Sequence, residues 1–136
     1  MFKGSFPLPG FLKDSNNHIS LGQNGEDAAA AYLQKKGYKV LARNYRQRFG
    51  ELDIIARDGE VLVFVEVKTR RSQRYGTPFE AVDRRKQRQL SKVALHYISR
   101  HNLYDQSARF DIVAVTWGEN GAPQFDLLTN AFDVCE

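Results

Sequence analysis

The chain has 136 residues, is 42% hydrophobic and 26% charged, contains one cysteine, Cys135, and carries a formal net charge of +4. That composition can bury a core, which excludes disordered and fibrous classes, and a lone cysteine excludes an internal disulfide framework and a thiolate zinc centre. No apolar run approaches the roughly 20 residues of a membrane helix, and Pro7, Pro9 and Gly10 interrupt the first segment, so the expectation is a cytoplasmic protein without a membrane partner or signal peptide.

Residues 1–20 mix Pro, Gly, Asn and Ser without periodicity and are expected to form a flexible N-terminal arm, leaving 21–136 as one domain. Over residues 21–36, Leu21, Ala28, Ala29, Tyr32 and Leu33 fall at helical spacing, and Gly37 follows as a stop signal. A first strand is expected over 38–46. Residues 51–57 and 60–68 read as two further strands, joined by Asp58-Gly59 as a two-residue hairpin turn. The run from Val61 to Val67 is apolar on both faces, which marks a central strand in a covered sheet. A polar, basic loop over 69–78 leads to a long helix over 79–101, whose apolar face is Phe79, Val82, Leu90, Val93, Ala94, Tyr97 and Ile98. Residues 109–116 and 124–128 complete the pattern as strands. The order α-β-β-β-α-β-β predicts an α/β fold with a mixed central sheet flanked by helices.

Charge is uneven along this pattern. Residues 43–100 hold 14 Lys and Arg against 7 Asp and Glu, a net of +7, while the remainder holds 6 against 9, a net of −3. The densest stretches are Arg43–Arg48 with Arg46, Lys68–Arg74 with Arg70 and Arg71, and Arg84–Arg88 with Arg85 and Lys86. A phosphate backbone is the common partner of such a surface. Charge alone leaves a solvated basic face equally open.

The chemistry-bearing residues cluster around the hairpin. With Asp58-Gly59 as the turn, Arg57 faces Glu60 and Asp53 faces Phe64. Asp53, Phe64, Glu66 and Lys68 then share one sheet face, with Asp53 and Glu66 as diagonal neighbours. Two carboxylates at the end of a buried strand repel each other and need neutralising. Lys68 can serve one of them, and a hard divalent cation, Mg²⁺ or Mn²⁺, can serve the pair and polarise a phosphodiester. Pattern alone leaves a Glu66–Lys68 salt bridge beside a solvated Asp53 as an equal alternative. Glu26 lies on the inward stripe of the first helix with Ala29, Ala30 and Leu33; its alternative reading is a first-turn acid facing the helix dipole. His18, His96 and His101 lack ligand spacing. Asp111 follows Arg109 by two and is expected to pair with it. Tyr45, Phe49 and Tyr75, set among arginines, could stack on bases or anchor the core.

Asp53, twelve residues, then Glu66-Val67-Lys68 resembles the PD-(D/E)XK nuclease signature, with Leu52 where that pattern has Pro. Residues 21–128 as a whole resemble the YraN-like family of bacterial predicted endonucleases, and the order helix Glu, Asp, E-x-K and Lys86-Gln87 is similar to that of archaeal Holliday-junction resolvases. The resemblance implies a restriction-endonuclease-like fold and a metal-dependent nuclease acting on DNA, including branched or structured DNA. Carried over, Asp53 and Glu66 would be ligands of Mg²⁺ or Mn²⁺, with the Val67 carbonyl a third. Lys68 would orient water and stabilise developing phosphorane charge, a role that suits an ammonium held charged by neighbouring carboxylates better than proton abstraction does. Glu26 would hold the metal through water, and Gln87 would sit beside the site. Arg70, Arg71, Arg74, Arg84, Arg85, Lys86, Arg46 and Arg48 are the expected nucleic-acid contacts. Two alternatives stand beside the nuclease: an inert nucleic-acid-binding module, and an interaction subunit of a DNA-processing complex, as a homodimer or with a protein partner.

Overall fold

The computed structural model describes residues 21–71, 79 and 82–134. Helix α1 spans Leu21–Lys35, followed by β1 (Lys39–Gln47), β2 (Gly50–Asp58), β3 (Val61–Arg70), helix α2 (Arg84–Arg100), β4 (Ala108–Trp117) and β5 (Pro123–Leu128). The arm expected over residues 1–20, together with Arg74 and Tyr75, lies outside the described residues.

The strands form one mixed sheet in the order β1-β2-β3-β4-β5. β1, β2 and β3 make an antiparallel meander, β3 and β4 run parallel, and β5 returns antiparallel to β4. A parallel neighbour requires a crossover, and α2 supplies it. The helix therefore runs back along the sheet, bringing its N-terminal end near the carboxyl end of β3. The architecture is α/β with a central mixed sheet flanked by two helices, consistent with a restriction-endonuclease-like fold.

Each helix forms where its sequence favours it. Ala28–Ala31 give α1 strong helix propensity and a low profile. Gly37 ends it at φ +100°, with Gly37 N–H donating to Gln34 O and Tyr38 N–H to Leu33 O, a Schellman closure that only a residue without Cβ adopts at no cost. Ala29, Ala30 and Leu33 bury against Val63, Val65, Val67, Val113 and Val115 on one sheet face. On the other face Leu90, Val93, Ala94 and Tyr97 of α2 pack on Leu52, Ile55, Leu62, Phe64 and Ile112. β3 contributes alternate residues to both clusters, as its two-sided apolar pattern requires.

Two sequence expectations change. α2 starts at Arg84, not at residue 79: the Asp83 side chain accepts the Lys86 backbone N–H at 2.9 Å and caps the helix there. Phe79 and Val82 still join the α2-side cluster, but from the approach to the helix. The hairpin turn is Gly59-Glu60 rather than Asp58-Gly59. Asp58 faces Val61 and Arg57 faces Leu62, with Gly59 at φ +64° leading the turn. A type II′ turn places Gly first, and that geometry wins over the Asp-Gly reading.

Candidate active site

The shifted turn moves the β2–β3 register by two residues in its pairing sum, so face parity is kept, and the partner expected for Asp53 changes from Phe64 to Glu66. The ladder stops one step short, at Ile54 and Val65. Beyond it the Asp53 carboxylate accepts the Val67 backbone N–H at 2.8 Å. A side chain has replaced the strand's own carbonyl as acceptor, which both opens the sheet and satisfies the buried amide.

Strict alternation on β2 also breaks here, contrary to the simple face assignment drawn from the hairpin. Leu52 and Ile55, three apart, pack in the same α2-side cluster, as do Ala42 and Tyr45 on β1. Asn44, opposite Asp53 in the β1–β2 register, has φ +52°. Asn tolerates that left-handed conformation better than most residues. Asp53 stands at the switch point, between the two faces. It meets Glu26 from α1 on one side and Glu66 of β3 on the other.

Glu26 lies in the second turn of α1, which has no acidic residue in its first turn, so the helix-dipole reading fails. Its Oε1 accepts from Asn44 Nδ2 at 3.0 Å. Its neighbour Asp27 instead pairs with Arg43 at 2.7 Å in solvent. α1 can come this close because residue 25 is glycine. A Cβ there would sit 2.9 Å from both Cβ and Cγ2 of Thr69, next to Lys68.

Burial dominates the electrostatics. It pushes the Glu26 carboxyl up to about 7, with the Asp53 charge adding to the effect. Glu66, only 6% exposed, is likewise pushed up to about 7 by burial and then by Asp53, against the opposing pull of Lys86 and Lys68. Asp53 is raised by burial, partly offset by the Val67 N–H and by hydrogen bonding with Glu26 and Glu66. Three carboxyls thus share a desolvated volume in which they cannot all be charged without a counter-cation.

Two ammoniums approach it. Lys68 Nζ lies 3.7 Å and Lys86 Nζ 3.6 Å from the same oxygen, Glu66 Oε2. The Glu66–Lys68 pair therefore exists, but the solvated Asp53 that accompanied it in the simpler reading does not. Lys86, expected on nucleic acid, reaches from α2 into the carboxylates. Gln87 Nε2 donates to Val82 O at 3.1 Å and tethers the approach to α2.

Donor chemistry suits a hard cation: every side-chain donor is a carboxylate oxygen, the type Mg²⁺ and Mn²⁺ take. Among the described residues, no group of three or more His, Cys, Asp or Glu is spaced to hold a metal ion. Two carboxylates, a backbone carbonyl and retained waters are enough for Mg²⁺, which dehydrates reluctantly.

A basic cleft of about 480 Å³ opens beside the carboxylates, between the β1–β2 turn and α2, and shares Lys86 with them. Arg85 and Lys86 line it, as do Arg88, which lay in the basic stretch Arg84–Arg88 but was not among the expected contacts, and Lys92, which lay outside it. The i, i+3, i+7 spacing of Arg85, Arg88 and Lys92 was the available signal. Arg84 is exposed at the start of α2; Arg70 and Arg71 end β3 and follow it. Arg46 pairs with Glu51 at 3.3 Å, and Arg48 is exposed. Tyr45 proves a core anchor, edge-on to Tyr97 and bonded through its hydroxyl to His96 Nδ1 at 2.8 Å. His101 stacks near Tyr97.

Asp111 pairs with Arg109 as expected and does more. Fully buried, it takes two hydrogen bonds from Arg109, one from the Tyr38 hydroxyl at 2.8 Å and one from the Asn130 backbone N–H at 2.9 Å. Arg109 also reaches Asp58 at the far end of the sheet. Every acceptor here is satisfied within the protein, so this network is a structural lock.

Residues 25–115 match the model of a family described as Uncharacterised protein family UPF0102. The chain is 51% identical over 120 residues to a UPF0102 protein of Geobacter sulfurreducens, covering 88% of this chain and 94% of the relative. It is 52% identical over 112 residues to one of Symbiobacterium thermophilum, covering 82% and 95%. No helix among the described residues is long and apolar enough to cross a membrane. The span that matches carries Glu26, Asp53, Glu66, Lys68 and Lys86 together, and the chain belongs to the UPF0102 family.

Proposed function

We propose that this protein is a divalent-cation-dependent nuclease that hydrolyses phosphodiester bonds in DNA. One observation carries the reading: Glu26, Asp53 and Glu66 converge from three elements on one half-to-fully buried spot, where a divalent cation would relieve the repulsion that otherwise holds protons on them, next to a cleft lined by Arg85, Lys86, Arg88 and Lys92. A bound Mg²⁺ or Mn²⁺ would supply Lewis-acid stabilisation of phosphorane charge. Asp53 and Glu66 would hold it, with the Val67 carbonyl and Glu26, through water, completing its surroundings. Val67 N–H fixes the Asp53 carboxylate in place. Lys68 orients the attacking water and offsets charge on the phosphoryl oxygens. Water attacks phosphorus and gives up a proton to solvent, one P–O ester bond breaks, and the departing alkoxide takes up a proton from solvent, so that one water is consumed per bond cut.

A second reading, an inert nucleic-acid-binding module, is favoured by one feature: Lys68 and Lys86 both sit on Glu66 Oε2. A cleavage assay separates the two. Single-stranded, duplex and junction DNA are incubated with Mg²⁺, Mn²⁺ or EDTA, using wild type and Glu66→Ala. The nuclease reading expects cutting that needs the metal and falls at least a hundredfold in Glu66→Ala, the scale set by removing a transition-state stabiliser. Cutting in EDTA, or cutting unaffected by the substitution, rejects the site. Salt-sensitive binding with no cutting on any substrate supports the inert module.

A further inference from the structure

The cleft between the β1–β2 turn and α2 has features that cleavage chemistry alone does not require. Its floor is a helix stripe of Arg85, Arg88 and Lys92, all exposed. Among the described residues none of the three is ion-paired with a carboxylate, and the lining acid, Asp83, is engaged as the helix cap. The stripe runs about 10 Å along the helix at 1.5 Å per residue. Phe49, at the β1–β2 hairpin tip, also lines the cleft, half-buried and packed at the edge of the α2-side core.

That residue is held in position. Gln89 Nε2 donates to the Phe49 carbonyl at 2.9 Å. Gly50, at φ +159°, lies so close to α2 that a Cβ would stand 2.8 Å from Gln89 Cγ and 3.1 Å from Val93 Cγ2. The Phe49 ring packs edge-on to His96. A pinned aromatic and a cationic stripe line one cleft of about 480 Å³, which puts a surface for a base beside a surface for phosphates. Lys86 joins this space to the carboxylates.

We propose that this cleft is a subsite for an unpaired nucleotide of the strand being cut, with Arg85, Arg88 and Lys92 on its phosphates and Phe49 as the platform for its base. The inference rests on the nuclease reading for its substrate and adds the strand state. A duplex offers its phosphates to a basic stripe but keeps its bases stacked inside; only an unpaired base can reach Phe49. The preferred substrate then has a single-stranded segment beside the scissile bond.

The test is fluorescence anisotropy in EDTA and low salt, with a labelled oligothymidylate and a blunt duplex of equal length. Phe49→Leu keeps an apolar side chain at the hairpin tip but removes the π face; melting curves check the fold. It is expected to weaken single-strand binding about tenfold, the scale of one base–aromatic stack, and duplex binding less than twofold. Replacing Arg88 and Lys92 together by Ala is expected to weaken both and to flatten the single-strand salt slope by about 1.4. Equal loss on both DNAs in Phe49→Leu, or no loss on either, overturns the subsite. So does polyglutamate displacing the oligonucleotide as well as unlabelled DNA does, which would identify an acidic-peptide surface. The nuclease reading fails separately: if nothing is cut yet Phe49→Leu is strand-selective, the subsite stands on an inert module. If cutting depends on Glu66 yet Phe49→Leu is not strand-selective, the subsite alone falls.

Discussion

Glu66 and Glu26 hold protons at pH values where an exposed carboxyl has long lost them, and that has a measurable consequence. Unfolded, each titrates near 4.5; folded, near 7. Between those values the folded protein binds more protons than the unfolded chain, so stability falls as pH rises through this window. In EDTA the melting temperature is expected to drop by several degrees from about pH 5 to about pH 8, and Glu66→Gln to flatten that slope. A wild-type melting temperature that rises over this range would contradict the placement of the carboxyls. Asp111 is buried inside a network of donors. Asp111→Ala leaves Arg109, the Tyr38 hydroxyl and the Asn130 N–H without their acceptor. Breaking a buried pair in this way costs about 3–5 kcal/mol, which urea denaturation would read as a lowered midpoint.

Between α1 and β3 the contact depends on one missing methyl group. In a helix interior Ala is favoured over Gly by about 0.5–1 kcal/mol, so propensity alone says that Gly25→Ala stabilises. Sterics oppose it: the new Cβ would overlap Thr69 Oγ1 and stand 2.9 Å from Thr69 Cβ and Cγ2, and a side chain on a strand has little room to yield. Overpacking costs about 1–3 kcal/mol, so the net expectation is destabilisation. Because Glu26 is the next residue, cutting should fall as α1 is pushed outward. Adding Thr69→Ala should restore part of both. A Gly25→Ala protein more stable than wild type would show that the helix is not held at this distance. At the other helix, Asp83→Ala removes the cap that starts α2, costing about 1 kcal/mol, and loosens Lys86, whose backbone N–H it holds.

Among the described residues, basic side chains lie at both ends of the sheet but in different company. The carboxyl end of β3 meets the start of α2, where Arg85, Lys86, Arg88 and Lys92 gather. The far end carries Asp58, Glu60 and Asp105 around Arg57 and Arg109. A nucleic acid bound at one end should feel only that end, since exposed charges more than about 10 Å apart are screened at moderate salt. Arg88→Glu is expected to weaken DNA binding more than tenfold, and Arg57→Glu less than threefold, by anisotropy at about 0.1 M salt. Equal effects would mean that binding follows net charge rather than the α2 surface.

Much of this was written in local chemistry. Alternation along Val61–Val67 already pointed to a central strand covered on both sides, Gly37 to the end of α1, and the spacing of Glu26 from Leu33 to an inward carboxyl beside the open helix-dipole reading, because each follows from backbone periodicity and the conformations one residue can adopt. The hairpin placed Asp53, Glu66 and Lys68 within reach of one another even with its turn misassigned, since a shift of two keeps face parity. What a linear pattern cannot contain is the meeting of segments far apart in the chain. Lys86 on Glu66, Phe49 in one cleft with Arg88 and Lys92, and Thr69 against Gly25 are set by the crossover through α2 and by how closely each helix settles on the sheet. The break in alternation at Asn44 and Asp53 belongs with them: it shows only in which face each neighbouring residue packs on, and that is settled by both helices at once.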